Sequence, residues 1–509
     1  MSSAASPDSK AGVEHADVLI VGAGISGIGA AHYLQSHHPT RTYAVLEARE
    51  ALGGTWDLFR YPGIRSDSDL HTLGYAFSPW QGEKAIADGD AIRAYLRDTA
   101  SGTGIDRRVR LRHKVVSAAW STADARWRVD VERTDTGERL SMTCAWLFCA
   151  SGYYRYDEGH TPHFEGRERF NGTIVHPQHW PEDLDYDGRR VVVIGSGATA
   201  VTLVPAMARR AAHVTMLQRT PTYVMSAPSR DRVANALRRA VGEKPAYALT
   251  RYKNIVLGHG MWYLCQRFPR QARALIRRSV ARQLPPGYPV DEHFDPPYDP
   301  WDQRLCLAPD GDFFKVLRER TASVVTDRVD TFTETGIRLA SGRELPADVI
   351  VTATGLNLLA FGGIEFSVDG DRVHLPDTVS YKGTMLGGVP NFAYAIGYTN
   401  SSWTLKVGLI CEHFCRLLEH MDRHGYTVCR PEPPASGMAT GPLFGFGAGY
   451  VRRSVDQFPR QGDRAPWQTA SGYPADVKLL RKSFMPDSAL HFATGRSAGR
   501  PAGGQAVSR

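Results

Sequence analysis

Cysteine is scarce: the 509 residues hold seven, an odd number, and no two stand in a Cys-x-x-Cys motif. This excludes a dithiol redox motif and argues against a disulfide framework, so a reducing, cytoplasmic setting is expected. Cys411 and Cys415 share a helical face, but no second ligand pair follows, and no metal site is expected. Long apolar runs are missing too. Nothing approaches the ~18 consecutive apolar residues that a membrane-spanning helix needs, and the polar start, MSSAASPDSKAGVEHA, carries no secretory pattern. Gly and Pro, at 49 and 31 residues, stay near ordinary usage, which excludes collagen-like and low-complexity chains.

What is present is a globular composition, 42% hydrophobic and 22% charged, at a length that suggests about two to four domains. The formal charge of +8 is local. Between Arg230 and Arg282 thirteen Lys or Arg stand against Asp231 and Glu243 alone, a segment of +11, so the rest of the chain carries −3. Apolar residues recur there at helical spacing (Val233, Leu237, Val241; then Leu275, Ile276, Val280), which predicts a basic helical insertion over 227–286. A solvated face near a bound nucleotide is the plainest reading of that charge. Peripheral contact with an anionic membrane surface is the second, and nucleic acid the weakest, since no binding motif accompanies the charge.

Two glycine-rich turns carry the chemistry. An apolar strand over 17–21 runs into Gly22-x-Gly24-x-x-Gly27 and then an apolar-periodic helix. In such a unit the first glycine permits a tight turn, the second lets backbone approach a pyrophosphate, and the third packs helix on strand. A second strand ends on Glu47, whose carboxylate would accept from ribose hydroxyls and repel a 2′-phosphate, so this site suits FAD or NAD and not NADP. Gly54, Thr55 and Trp56 follow it closely. Downstream the pattern recurs as Gly195-Ser-Gly197-Ala-Thr199-Ala200, and the next strand ends on Gln218-Arg219 and Thr220. A cation in place of the acid suits a 2′-phosphate, hence NADPH. Two dinucleotide sites of different preference imply a hydride relay from nicotinamide to flavin. The fold class expected is α/β, with two Rossmann-like domains, FAD and NADP, and a helical insertion in the second. The boundaries expected are 1–152 with 345–493 for FAD, 165–340 for NADP, and a disordered tail over 494–509.

Between the two turns lies Phe170-x-Gly172-x-x-x-His176-x-x-x-Trp180-Pro181. It resembles the signature of type I Baeyer-Villiger flavin monooxygenases, whose Trp-Pro ending differs from the Tyr or Phe ending of N- and S-oxygenating flavin monooxygenases. The resemblance continues through Arg60-Tyr-Pro-Gly-Ile-Arg-Ser-Asp67, Ala353-Thr-Gly355 and Gly397-Tyr-Thr-Asn400, and is strongest to the ethionamide-activating group. It implies conversion of ketones to esters or lactones with O2 through a C4a-peroxyflavin, with FAD and NADPH as cofactors and sulfoxidation as a companion activity. It also implies that Arg304 holds the anions of the reaction, that Asp67 orients Arg304, and that Asn400 lies at the flavin. Relatives carry a Lys-Arg pair where this chain has Gln303-Arg304, which puts more of the 2′-phosphate contact on Arg219 and Thr220. Phe170, Gly172, His176, Trp180 and Pro181 are implied to couple domain movement to cofactor handling from a linker, with His176 as a hydrogen-bonding strut. Two rival functions remain open: N- or S-oxygenation, and a flavin-binding redox sensor at a membrane surface.

Overall fold

Val18 to Val21 are buried on both faces of their strand, so neighbours must cover both edges and both sides. The strand Glu14–Val21 accordingly lies between Tyr43–Leu46 and Arg139–Cys149, parallel to each. An antiparallel meander, His113–Ser121, Arg126–Arg133 and Arg139–Cys149, extends the sheet, and in Arg126–Arg133 the buried Trp127, Val129 and Val131 alternate with wetter positions. Glu365–Val368 and Asp371–Arg372 form one edge, Val109–Arg110 the other, and Phe392–Tyr394 joins the far end of Arg139–Cys149. The helices Ile25–His37 and Trp403–His424 pack together over one face of this nine-stranded sheet. The computed structural model describes residues 13–303, 305–434, 437–445, 447–470, 472–482 and 487–494. The expected disordered tail, 494–509, lies outside the described residues from 495 onward, as does Arg304.

The second glycine turn grows from a separate, wholly parallel sheet of five strands, ordered Ala322–Thr326, His213–Gln218, Arg190–Ile194, Val349–Thr352 and Thr173–Val175. This corrects two expectations. The chain does not return to its first unit at 345, because Val349, Ile350 and Val351 pair in register with Val191, Val192 and Val193 at the centre of the second sheet. An unbroken apolar run fills any doubly covered position, and nothing local to 345–355 says which sheet offers one. Likewise the stretch after Phe170 is no free linker: Thr173–Val175 is the edge strand of this sheet. The two units are joined where the chain crosses twice, and the crossings pair with each other as Tyr154–Gly159 against Leu356–Leu358.

The basic insertion is helical: Arg232–Val241, Glu243–Arg267 and Pro269–Ala281 follow one another. Its apolar positions do not all face inward, since Val233, Val241 and Leu275 are about half exposed. The proline-rich segment after it contains a short helix, Val290–Phe294, before the strand Leu305–Pro309 pairs with Tyr223–Ala227. No described helix is long and apolar enough to cross a membrane.

Candidate active site and cofactor cradles

The strands Glu14–Val21 and Tyr43–Leu46 end side by side, and their ends open a cavity of about 700 Å³. Gly22 turns with φ +100°, and a Cβ there would come within 2.7 Å of the Ala150 carbonyl. Gly27 does not line the cavity; a Cβ on it would sit 1.8 Å from the Gly22 carbonyl, so it fixes helix against strand. Gly24 and Gly54 face each other across the cavity wall, where a Cβ on Gly54 would meet the Gly24 Cα at 3.0 Å. That bare backbone leaves the close access that a phosphate chain would need. Glu47 lies at its edge, 5% exposed, accepting from the Ala23 N–H at 2.7 Å and the Arg49 N–H at 2.9 Å. Burial raises the Glu47 pKa against the pull of those two donors. Thr55 and Trp56 also line the space.

The remaining wall is aromatic and was not legible in the sequence. Tyr153, Tyr154 and Tyr156 come from the first crossing, Phe59 and Tyr61 from the loop after Trp56, and Trp403 from the start of the long C-terminal helix. Burial pushes the phenols of Tyr61 and Tyr156 up to about 12, so both stay neutral and can donate at working pH. Trp403 Nε1 donates to Ser26 Oγ at 2.7 Å and so holds two helix starts together beside the cavity. Tyr398, another lining residue, donates to Asp476 Oδ2 at 2.6 Å, with Lys406 Nζ 3.8 Å from the same oxygen. The only hint of this wall in the sequence was the run Tyr153-Tyr154-Arg155-Tyr156 immediately after an apolar strand.

Asp67 lines the cavity on the loop that follows Tyr61. The same loop leans on the second unit. Gly63 packs so closely on the helix Ala198–Met207 that a Cβ would come 2.7 Å from the Ala206 methyl, and Arg65 forms an ion pair with Asp312. A hydrogen bond to Thr199 draws the Tyr61 phenol to the second glycine turn. Ala198, Thr199 and Thr202 therefore line the same cavity as Gly22 and Glu47. Asn400 is not among the lining residues, although Tyr398 and Ser401 on either side of it are.

At the second turn Gly195 has φ +136°, and a Cβ would approach the Ala353 carbonyl to 2.2 Å. Gly197 faces open space and begins a helix with no side-chain cap, so its first N–H groups are free for an anion. Ser196 Oγ donates to the Thr220 carbonyl at 2.9 Å, which ties the turn to the end of the neighbouring strand. Arg219 stands there, exposed, with no acidic partner among the described residues. Gln218 points inward instead, donating to His293 O and Thr326 Oγ1, both at 2.9 Å.

None of the five signature residues Phe170, Gly172, His176, Trp180 and Pro181, the fingerprint between the two glycine turns, lines the cavity. Phe170 is buried against Phe332, and a Cβ on Gly172 would strike the Asp348 carbonyl at 2.4 Å. Trp180 packs against the core of the second unit, next to Pro181. His176 holds the crossings together: its Nδ1 accepts from the Gln178 N–H at 3.2 Å and its Nε2 donates to the Gly355 carbonyl at 3.3 Å. Gln178 Nε2 completes the clamp on the carbonyls of Arg155 and Tyr156. Burial lowers the His176 pKa, so the ring is neutral and both nitrogens are already used.

A model of the pyridine nucleotide-disulphide oxidoreductase family matches residues 16–244, a span that holds both glycine turns. The seven cysteines are free and buried. The chain is 54% identical over 481 residues to the FAD-containing monooxygenase EthA of Mycobacterium tuberculosis, covering 94% of this chain and 98% of the relative. It is 49% identical over 486 residues to EthA of Mycolicibacterium smegmatis, covering 95% and 98%. Among solved structures, an oxidized steroid monooxygenase bound to NADP matches with a TM-score of 0.70 at 24% identity, over 82% of this chain and 88% of that one, which establishes the fold.

Proposed function

The chain belongs to the family of FAD-containing monooxygenases that includes EthA, and on that premise we propose that it is an FAD- and NADPH-dependent Baeyer-Villiger monooxygenase. It would insert one atom of O2 beside a ketone carbonyl to give an ester or lactone. The observation that carries this reading is the shared cavity, lined by Gly22, Glu47 and Thr55 of the first unit and by Thr199 of the second. Bound there, a flavin supplies two-electron reduction by NADPH and activation of O2, chemistry that no side chain offers.

The residues divide the remaining work. Gly24 and Gly54 give the flavin's pyrophosphate close access to backbone, and Glu47 accepts from its ribose hydroxyls. Arg219 and Thr220 hold the 2′-phosphate of NADPH, with Gly195 and Gly197 at its pyrophosphate. Trp56, Phe59, Tyr61 and Trp403 keep water out of the reacting space. Arg304 is assigned the negative charge that develops on the substrate's carbonyl oxygen. Leu307, in the strand that begins at Leu305, lines the cavity and supports this assignment, as does Asp67 on the opposite loop. A guanidinium stays ionised at any working pH, and removing such a charge costs about 10²–10³ in rate.

The test is the purified protein with NADPH, ¹⁸O₂ and a panel of aliphatic, cyclic and aryl ketones. One labelled oxygen in the ester per NADPH consumed supports the proposal. NADPH oxidation to peroxide independent of every ketone overturns it, and labelled sulfoxide or N-oxide without ester reassigns the chain to N- or S-oxygenation.

A further inference from the structure

Ten of the eleven large exposed hydrophobic side chains among the described residues fall between Val233 and Leu275, all in the basic insertion. In the long helix Glu243–Arg267 they are ordered. Leu249, Tyr252, Val256 and Tyr263 follow at intervals of three, four and seven, which keeps them on one helical face. Leu257 and Met261, one turn apart, lie seven and eleven residues beyond Thr250 on its side of the helix, and both are exposed. Tyr252 is 70% exposed and Leu257 63%, while Tyr247 and Thr250, nearer the start of the helix, are buried and anchor it. Between Lys253 and Arg267 the helix carries no charged residue, and Phe268, 42% exposed, ends the stripe under the Arg267 guanidinium at 5.3 Å. Leu275 continues it on the next helix.

Cations frame this apolar surface. Arg230, Lys253, Arg273 and Arg277 have acidic partners, and Arg238 and Arg251 donate to carbonyls. Arg232, Arg239, Lys244, Arg267, Arg270, Arg278 and Arg282 have no acidic partner among the described residues. Exposed aliphatic and aromatic side chains lying among unpaired guanidinium and ammonium groups are complementary to one kind of surface: apolar chains beneath anionic headgroups. At 25 residues the long helix measures about 37 Å along its axis, and it is not apolar enough to span a bilayer.

We propose that the solvent face of these three helices docks the protein peripherally on an anionic lipid bilayer, with the Leu249–Tyr263 stripe laid into the interface and the unpaired cations at the headgroups. The docked element is tied to the cavity wall. Arg251 donates to the carbonyls of His71, Thr72 and Gly74, and Asn254 Nδ2 donates to Asp69 at 2.8 Å, two residues from the cavity-lining Asp67. This inference rests on the insertion alone and stands whether or not ketones are the substrates.

The experiment is flotation of the full-length protein with vesicles of phosphatidylcholine, alone or with about one third phosphatidylglycerol, at low and high salt. Binding to the anionic vesicles is expected to exceed binding to the neutral ones by about tenfold or more, and to fall at high salt. Two variants, V256D/L257D and R270E/R278E, are each expected to lose about tenfold in vesicle binding while keeping flavin absorbance and NADPH oxidation. Binding that is absent, or unchanged by both variants, overturns the proposal. Analytical ultracentrifugation without lipid separates the alternative occupant: a stable dimer that V256D/L257D dissociates would show that a second copy covers this face, and would equally overturn it.

Discussion

At Gly22 and at Gly195 the backbone turns with positive φ, and in both places a Cβ would strike the carbonyl of the residue leaving the adjacent strand, Ala150 or Ala353. The third position differs. Gly27 has no room for a methyl group, whereas Ala200 buries one completely. The ends of the second strands differ more. Glu47 is buried and tied to two backbone N–H groups, while Arg219 stands exposed beside a Gln218 that faces inward. One architecture thus presents a buried, fixed carboxylate in the first unit and an exposed cation in the second, the difference on which the proposed preference for two different dinucleotides rests.

The contrast is most easily broken at the third position. Gly27→Ala should cost on the order of 3 kcal/mol and yield protein without flavin absorbance, whereas Ala200→Gly should cost about 1 kcal/mol and keep its flavin. Retained flavin in Gly27→Ala would show that the strand and helix can separate. Arg219→Ala should raise the KM for NADPH about 10- to 100-fold and leave that for NADH within about twofold. Equal loss for both cofactors would deny it the 2′-phosphate. Glu47→Gln should weaken flavin binding about tenfold, measured by equilibrium release of FAD, with little change in the KM for NADPH. His176→Ala should slow turnover about 3- to 10-fold and keep its flavin. Because a neutral, doubly bonded ring is a strut, the shape of the pH–rate profile should not change, and a lost limb would reveal an acid or base.

The smallest effect concerns the starts of two neighbouring inner strands of the second sheet, Arg190–Ile194 and Val349–Thr352. Arg190 holds the Asp348 carboxyl down to about 2 through a paired hydrogen bond, in a site more than a third exposed. A depressed carboxyl stabilises the fold above its ordinary pKa of about 3.9, and the contribution fades as pH falls through the folded value. Asp348→Asn should therefore lower stability at pH 7 by less than about 1 kcal/mol, after screening by solvent, and the difference should vanish near pH 2 in denaturant titrations.

Part of the cavity was legible because glycine turns are local. Gly22, Gly24 and Gly54 line it through their own backbone, and Glu47 sits at a strand end whose place follows from the strand–turn–helix order. The aromatic wall was not legible, since Tyr61, Tyr156 and Trp403 lie more than 340 residues apart at their extremes and meet only in the folded chain. The strand Val349–Thr352 misled for a related reason: an all-apolar run states that it is buried on both faces and not where. The fingerprint read as a linker contains an edge strand because backbone pairing between Thr173–Val175 and Val349–Val351 leaves no mark in side-chain type.

By itself the sequence determined two strand–turn–helix glycine motifs, the acid that follows the first and the cation that follows the second, and a basic helical insertion, because turn chemistry, helical period and net charge are properties of neighbouring residues. Only the tertiary structure decided that Thr199 shares a cavity with Glu47, that His176 clamps two crossings, and that Tyr252, Val256 and Leu257 face solvent. Those outcomes depend on which surfaces remain uncovered once every apolar strand has found its partners, and that is a property of the whole chain.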